Sequence, residues 1–283
     1  MELCLVVAEQ TTEAVRSIME RFGRFAHSFE IRADFLERSE TGSLGTIRKL
    51  TPKKLILTAR KPVDGGRWTA PESFRRELYE RALDCGYDFV DLETDALPGF
   101  HGNERTRVIR SFHDMKGMPP DLLDRYARTA ENPEEIPKIS VYLKTSEDVL
   151  AFLAWNRIVR ESGNRKRIVM AMGPKGSFSR VLGEKLGSKH TYAPAPGRPL
   201  LPGMVDIDRL YNLYRAHAVT TETPVWGIVD PSSSYAPPDT GLLRDTRPGP
   251  DGAVRVPFIL DSAEEAGRLQ EFFGVERFYR LAD

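Results

Sequence analysis

Short apolar runs alternate with amphipathic stretches along the first three quarters of the chain. In the first unit, an apolar run at 3–8 precedes Val15, Ile18, Phe22 and Phe25, which are spaced three and four residues apart. Such spacing predicts a strand followed by a helix that buries one face. Similar apolar runs predict seven further strands, at 28–32, 54–58, 89–92, 107–112, 138–143, 167–172 and 191–193.

Helical patterns separate these strands and indicate the fold class. Regular alternation of strand and helix requires a parallel sheet, because each helix returns the chain to the same edge. Eight strands is the number that closes a barrel, and no Gly-x-Gly-x-x-Gly turn of an open nucleotide-binding sheet follows the first strand. We therefore predict an α/β fold, a (β/α)8 TIM barrel. Its clearest helices are expected at 71–85, 120–130, 146–160 and 207–215.

A change of composition near residue 218 indicates a second part of the chain. The segment 231–250 is rich in Pro, Ser, Gly and Asp and offers little to bury. We therefore divide the chain into a barrel at 1–217 and a small C-terminal α/β extension at 218–283. Apolar patterns in the extension predict strands at 224–229 and 254–260 and a helix at 262–273.

Charge and composition favour a small-molecule partner over nucleic acid or a membrane. The 283 residues contain 41 Lys plus Arg and 41 Asp plus Glu, so no net field attracts the chain to a polyanion. The chain starts without a leader pattern, and no apolar run approaches the roughly 18 residues of a membrane span. Cys4 and Cys85 lie in apolar stretches, as buried thiols of a reducing compartment do. We therefore expect a cytoplasmic protein, and its oligomeric state, a homodimer included, stays open.

Polar clusters at the ends of predicted strands provide the candidate chemistry. A β/α barrel gathers the carboxyl ends of its strands around one pocket, so residues far apart in sequence meet there. Lys138, between apolar neighbours, is a candidate nucleophile. Desolvation and cations such as Arg32, Arg60 and Arg180 would disfavour its ammonium form and leave an amine able to attack a ketone. A Schiff base is therefore expected at Lys138 rather than at Lys144, which lies past the strand.

His113 is the candidate proton carrier. It follows the apolar pair Val108 and Ile109 in a predicted strand, and an unperturbed pKa of about 6.5 suits it to act as base and then as acid. A proton-transfer group beside an iminium suits elimination or carbon–carbon chemistry alpha to a carbonyl. Three arginines at strand ends exceed what a solvated rim needs. Because guanidinium binds carboxylate through two parallel hydrogen bonds, we expect an anionic substrate.

Six motifs, in order and spacing, resemble those of the type I 3-dehydroquinate dehydratases over about residues 1–217. The resemblance implies a TIM-barrel hydro-lyase of the shikimate pathway of aromatic amino acid biosynthesis, acting without a metal or an organic cofactor. The motifs are Glu30-x-Arg32-x-Asp34, Thr58-x-Arg60 with Asp64-Gly65-Gly66, Asp91-Leu92-Glu93, Ser111-x-His113-Asp114, Pro137-Lys138-Ile139, and Met172-Gly173 leading to Ser179-Arg180-Val181.

The resemblance also implies roles in the conversion of 3-dehydroquinate to 3-dehydroshikimate. Lys138 would form an imine with the C3 ketone, and His113 would remove the C2 proton and then protonate the departing C1 hydroxyl. Asp64 stands where the family has a glutamate that orients the histidine, and it is one methylene shorter. Arg180 would bind the substrate carboxylate. Of the others, Glu30 and Arg32 would face substrate hydroxyls, and Arg60 would help hold the same end of the substrate. Apart from the resemblance, Asp34, Asp91 and Glu93 are expected to pair with arginines inside the barrel.

Two segments depart from the patterns they resemble. After the eighth strand, the family's Ser-Ala-Pro-Gly-Gln is replaced by Pro194-Ala195-Pro196-Gly197-Arg198 on a shorter lid that would close less well. Arg198 would meet a substrate hydroxyl or the carboxylate. The extension is similar to the start of the substrate domain of shikimate dehydrogenase, but His-Ser-x-Ser-Pro is replaced by Ser-Ser-Tyr-Ala-Pro at 233–237. We expect a remnant without dehydrogenase activity.

Two other functions stay open at this point. The altered lid and the degenerate extension also suit a catalytically weak barrel that acts as an interaction or regulatory module. Another imine-forming barrel enzyme, an aldolase or transaldolase, is the second alternative, because a lysine with acid–base residues does not fix the substrate. A phosphate-binding glycine loop would favour it. The segment Met172–Gly176 is only a faint version of one, and Arg180 argues for a carboxylate instead.

Overall fold

Eight parallel strands curl into a nearly closed barrel in this computed structural model, which describes residues 1–163, 166–243 and 252–282. The strands carry the polar clusters near their carboxyl ends. They are β1 (Glu2–Val7), β2 (Ser28–Arg32), β3 (Lys54–Thr58), β4 (Phe89–Glu93), β5 (Arg107–Asp114), β6 (Ile136–Tyr142), β7 (Ile168–Met172) and β8 (His190–Pro194).

The order of the strands around the sheet follows their order in the chain. The sheet runs from β7 back to β1 and then to β8. An isolated parallel bridge between Arg167 and Ser188, just before β7 and β8, joins the two ends. The ladders bring strand ends into register, so that Lys138 on β6 lies opposite Ser111 on β5. The predicted (β/α)8 TIM barrel is therefore confirmed.

Six helices lie in the connections between the described barrel strands. A capping box of Thr145 and Asp148 begins the longest of them. The described connection 94–106 between β4 and β5 contains no helix, and the segment predicted as a helix at 207–215 forms a π-helical turn at Arg209–Leu213. The helices are α1 (Thr12–Phe22), α2 (Leu44–Arg48), α3 (Glu72–Asp84), α4 (Leu122–Thr129), α5 (Ser146–Glu161) and α6 (Phe178–Val181).

The extension contains a second parallel sheet. Both predicted strands and the predicted helix form, and two further strands appear that the pattern did not predict. One of these has only three residues, and three of the seven residues of the other are charged, so neither gives an apolar run. Part of the predicted polar segment, 244–250, lies outside the described residues. The elements are β9 (Val225–Val229), β10 (Gly241–Leu243), β11 (Val254–Phe258), α7 (Ala263–Phe273) and β12 (Val275–Leu281), in the sheet order β10-β12-β9-β11.

Alternation along each strand separates an outer from an inner face of the barrel. On β6, Ile139 and Val141 belong to the large core that the helices cover, whereas Lys138 and Ser140 line the pocket inside the barrel. Charged groups on inner positions therefore meet above an apolar filling. That filling consists of Cys4, Val6, Ile56, Phe89, Ile109, Ile136, Ile168, Met170 and Tyr192.

The cysteines and the helices of the described residues show no unusual feature. Cys4 on β1 is buried and Cys85 after α3 is partly buried, and both thiols are free. Within 1–163, 166–243 and 252–282, no helix combines the length and the apolar character that crossing a bilayer requires.

Candidate active site

A pocket of about 560 Å³ opens at the carboxyl ends of the barrel strands. Its wall contains seven of the eight residues that the sequence placed in the site, and apolar side chains such as Met170, Met172 and Leu201 complete it. The barrel therefore brings together groups that lie up to 150 positions apart in the chain (180 − 30). The seven are Glu30, Arg32, Arg60, Asp64, His113, Lys138 and Arg180.

Lys138 lies in this pocket on β6, with 3% of its side chain exposed. Its Nζ donates a hydrogen bond to Oδ2 of Asp91 at 2.7 Å and lies 3.8 Å from Oε1 of Glu30. The Tyr192 ring presents its face to the same nitrogen, 3.9 Å from the ring centroid. The sequence predicted the cations near this amine, and the structure adds two carboxylates and an aromatic face around it.

Asp91 joins Lys138 to an arginine network across β3, β4 and β5. Oδ1 of Asp91 accepts hydrogen bonds from Arg60 Nη2 at 2.7 Å and from Ser111 Oγ at 2.6 Å. Glu93 accepts from Arg60 at 3.1 Å and pairs with a second buried arginine. Burial alone would raise the pKa of Asp91, but the charges of Arg60 and Lys138 hold that pKa well below its usual range. The predicted pairing of these two acids with arginines is confirmed.

Arg32 at the end of β2 is fixed by Asp34. Its Nε and Nη2 donate to the two carboxylate oxygens at 2.8 and 2.7 Å, which is the fork geometry of a bidentate pair. Both side chains are buried, so the direction of the guanidinium is set before a ligand enters. On the same strand, Glu30 accepts a hydrogen bond from Thr58 Oγ1 at 2.9 Å. Asp34 thus pairs with an arginine, as predicted.

His113 lies in the pocket wall on β5. Burial and the charges of Arg60 and Lys138 hold the pKa of its imidazole well below 6.5, so the ring is neutral near pH 7. Its Nδ1 is shielded from solvent and has no hydrogen-bond partner among the described residues. Asp64 lines the same pocket, and burial and the charge of Glu93 raise its pKa. The structure therefore shows no direct bond from Asp64 to this nitrogen, which accords with the short aspartate side chain.

Arg180 is the pocket arginine best suited to an anionic ligand. Unlike Arg32 and Arg60, it has no carboxylate within 4.0 Å of its guanidinium among the described residues. Its Nη1 donates to the carbonyl oxygen of Tyr192 at 2.6 Å, and its buried Nε has no partner in the described part of the chain. Burial lowers the pKa of this side chain to about 10, so it still carries its charge near neutrality.

Two carboxylates on and beside β2 lie close to protein cations. Glu30 lies near Lys138, and Asp34 holds Arg32. Across 1–163, 166–243 and 252–282, no three His, Cys, Asp or Glu side chains come together as metal ligands would. The charged groups of the site thus line one pocket, in which Arg180 has no carboxylate within 4.0 Å among the described residues.

Comparison with known proteins identifies the family of this chain. The profile of the family described as type I 3-dehydroquinase matches residues 3–221. The chain belongs to this family. A 3-dehydroquinate dehydratase of Methanocaldococcus jannaschii is 31% identical over 221 residues, which cover 75% of this chain and 97% of that protein. One from Coxiella burnetii is 26% identical over 218 residues, covering 75% and 92%.

Solved structures also resemble this chain in fold. The type I 3-dehydroquinate dehydratase of Clostridium difficile, solved with covalently modified comenic acid, has a TM-score of 0.65 and 25% identity, covering 74% of this chain and 88% of its own. The dehydroquinate dehydratase and shikimate dehydrogenase of S. pombe has a TM-score of 0.65 and 17% identity, covering 99% of this chain and 56% of its own. At that identity the second likeness concerns the fold alone, and it includes the extension.

The eighth predicted residue, Arg198, lies outside the pocket of this type I 3-dehydroquinase. It follows β8, leaves 58% of its side chain exposed and pairs through Nη1 with Glu9. The same loop sends Leu200, Leu201 and Met204 to the pocket instead. Sequence reasoning missed these apolar lid residues, because an apolar side chain in a loop gives no sign of facing a ligand rather than the core.

Tyr192 and Ser140 are polar pocket residues that sequence reasoning also missed. Tyr192 lies on β8 and is buried, and its hydroxyl has no hydrogen-bond partner among the described residues. Burial raises the pKa of this phenol well above 10, so it stays protonated. The signal that could have found Ser140 was the strand alternation, because Ser140 lies two positions after Lys138 and so on the same face of β6.

The glycine-containing segment after β7 does not supply a cation to the pocket. Lys175 turns away from it, and its Nζ contacts Glu265 Oε1 at 2.9 Å and Asp261 Oδ2 at 2.8 Å in the extension. A phosphate-binding loop at Met172–Gly176 would favour an aldolase, but the lysine of this segment does not face the pocket.

Proposed function

We propose that this protein removes water from 3-dehydroquinate to give 3-dehydroshikimate through a Schiff base at Lys138. The observation that carries the proposal is that Lys138 is buried in one pocket with the neutral imidazole of His113 and with Arg180, which has no carboxylate within 4.0 Å among the described residues. An amine, a proton carrier and an anion site are what an elimination beside a ketone requires.

The first step forms the iminium. Lys138 Nζ loses a proton, attacks C3 of the substrate, and the carbonyl oxygen leaves as water, so a C–O double bond is exchanged for a C–N double bond. Asp91 holds the nitrogen in place before the attack and stands 2.7 Å away to stabilise the positive charge of the iminium afterwards. The iminium makes the proton at C2 more acidic, because the nitrogen can accept the electron pair.

The second step is proton transfer by His113. The neutral ring takes the C2 proton, and the electron pair moves into the iminium to form an enamine. The C1 hydroxyl then leaves as water with the proton that His113 returns, and the electron pair forms the C1–C2 double bond. Transfer of one proton by one group on one face corresponds to a syn elimination. Hydrolysis of the remaining imine releases the enone and restores Lys138.

The arginines and Glu30 would hold the substrate. Arg180 would bind the carboxylate, since its guanidinium has no acidic partner among the described residues. Glu30 and Arg32 would bind hydroxyls, and Arg60 would help hold the same end. Asp64 would orient His113 through a water, because no direct bond joins the two. Arg198 would reach the substrate only after leaving Glu9.

We also propose that the barrel domain ends at 217 and that 218–283 is a remnant of a shikimate dehydrogenase substrate domain. The separate four-stranded sheet supports the boundary. The likeness in fold to the S. pombe protein over 99% of this chain supports the origin of the extension. Dehydrogenase activity is not expected from it.

The test is the appearance of the enone absorbance after 3-dehydroquinate is added to the purified protein. We expect turnover by the natural chain and none by Lys138→Met, which keeps the length of the side chain without its amine. Lys144→Met is the matched control, since this lysine is exposed past the end of β6. Equal activity in Lys138→Met and Lys144→Met would exclude the Schiff base at Lys138, and no activity in the natural chain would exclude the proposed reaction.

A further inference from the structure

The segment that runs from the end of β7 through α6 connects the pocket to the extension. Arg180, on α6, lines the pocket, whereas Lys175 and Phe178 contact the extension. Lys175 and Arg180 are five positions apart in the sequence, so the two contacts share one short and continuous piece of backbone.

The ionic half of this contact joins the buried Lys175 to the buried Glu265 and to the exposed Asp261. Lys175 Nζ lies 2.9 Å from Oε1 of Glu265 and 2.8 Å from Asp261 Oδ2, and donates to the carbonyl oxygen of Ile259 at 3.0 Å. Glu265 is 1% exposed and also accepts a hydrogen bond from Ser146 Oγ, at the start of α5, at 2.8 Å. The Glu265 carboxylate of the extension thus contacts two separate connections of the barrel, one at Lys175 and one at Ser146.

The apolar half of the contact is an aromatic cluster. The ring of Phe178 lies 5.8 Å from that of Phe258 on β11 and 5.4 Å from that of Phe273 on α7, measured between ring centroids. On its other side it meets Phe152 on α5 at 6.5 Å. Phe178 is 2% exposed, so the extension completes the burial of the turn that carries Arg180.

The loop after β8 that bears Leu201 and Met204 packs against the same segment. A Cβ at Gly203, whose φ is +77°, would fall 2.2 Å from the carbonyl oxygen of Gly173, so only glycine allows this approach. A displacement of the segment would therefore reach both Arg180 and the loop that bears Leu201 and Met204.

We propose that the extension supports the active site, with Glu265 and Phe273 acting as positioning residues for Arg180. Neither residue lines the pocket. Glu265 acts through Lys175 and Phe273 acts through Phe178, and both contacts hold the backbone that determines the position of the Arg180 guanidinium. Arg180 itself has few restraints, since its described hydrogen bonds go to the Tyr192 carbonyl and the Met170 sulfur. The proposal rests on the proposed function only in giving Arg180 the substrate carboxylate.

The experiment compares Glu265→Gln with Glu271→Gln. Both carboxylates bridge the extension to the barrel, but Glu271 meets Arg157 at 2.8 Å on the exposed surface of α5 and α7, away from the segment of Arg180. For Glu265→Gln we expect KM for 3-dehydroquinate to rise by about tenfold with kcat little changed, because displacement of a substrate-holding group by a fraction of an ångström weakens binding strongly. Glu271→Gln should keep both constants.

Hydrogen exchange measures the same coupling without any turnover. Amides of 173–182 should exchange faster in Glu265→Gln and at the natural rate in Glu271→Gln. If the natural chain forms no enone, the proposed reaction is wrong while the exchange result still decides the coupling. If the natural chain is active and Glu265→Gln alters neither KM nor exchange, the positioning role is excluded.

A second variant covers the case in which Glu265→Gln does not fold. Phe273→Leu keeps an apolar side chain and removes the ring contact to Phe178, and it should shift KM and exchange in the same direction. A lower melting temperature with unchanged KM and exchange in this variant would show that the contact only attaches the extension, and would overturn the proposal.

Discussion

Lys138 Nζ and Asp91 Oδ2 lie 2.7 Å apart across β6 and β4, and both side chains are almost completely buried. The contact joins the proposed nucleophile to a carboxylate that Arg60 also holds. Buried charges persist only when they are paired and hydrogen-bonded. The proposed catalytic amine is therefore also a member of the ionic network that stabilises the inside of the barrel.

Replacing Asp91 should destabilise the fold. Asp91→Asn leaves two buried cations, Arg60 and Lys138, without their shared charge, and breaking such a buried arrangement costs about 3–5 kcal/mol. Urea denaturation would measure the free energy of unfolding. Glu13→Gln, which alters an exposed pair with Arg16, should change it by less than about 1 kcal/mol. If Asp91→Asn lowers the free energy of unfolding by as little as that, the network does not depend on this carboxylate.

Borohydride should trap the substrate on Lys138. The reagent reduces an imine to a stable amine, so mass spectrometry of the intact protein and of its peptides would locate the adduct. We expect one adduct, on the peptide that contains 138, because this lysine lines the pocket. A label on Lys144, or no mass shift at saturating substrate, contradicts the assignment.

His113→Ala should separate imine formation from proton transfer. The variant keeps Lys138, but it lacks the group that moves the proton, so we expect the rate to fall by about 10² to 10⁴. The trapped adduct should accumulate at least as readily as in the natural chain. Activity within a few-fold of the natural level would mean that another group is the base.

His113 should also make stability depend on pH. Its pKa in the folded state lies below the value of about 6.5 expected when unfolded, so between the two values the unfolded chain binds the extra proton. The contribution of the neutral His113 ring to the free energy of unfolding is complete above about pH 6.5. It is lost as the pH falls toward the lowered pKa, by up to about 1.4 kcal/mol per pH unit.

The measurement for this pH effect is urea unfolding between pH 5 and 7 for the natural chain and for His113→Asn. The natural chain should show the steeper slope. His27 and His217 also have pKa values lowered by burial and contribute in the same direction, so the difference between the two proteins isolates His113. Equal slopes would contradict the buried neutral state of this ring.

The pair of Arg198 and Glu9 offers a test of the lid. If the lid must release Arg198 for it to reach the substrate, Arg198→Gln should raise KM by about tenfold, the effect of losing one hydrogen bond to a charged group. Glu9→Gln should lower KM, since it frees the guanidinium. Steady-state kinetics of both variants would decide. Unchanged KM in both would show that Arg198 stays directed to solvent.

Much of the barrel and of its pocket followed from the sequence alone. Apolar runs and helical spacing are local properties, and they placed all eight strands to within a few residues. Because parallel strands end on one side of a barrel, polar groups on those strands had to meet, and Lys138 and His113 do so. Arg180 was also expected at a strand end, but it reaches the same pocket from α6. The order of motifs was enough to indicate the family.

Only the tertiary structure showed which groups pair with which. Strand register and side-chain length decide these contacts. They bond Lys138 to Asp91, leave Arg180 without an acidic partner among the described residues, and pair Arg198 with Glu9 outside the pocket. The contact of Lys175 with Glu265 joins residues 90 positions apart. Hydrophobic periodicity reports which face of an element is buried, but it carries no information about which distant side chain packs against that face.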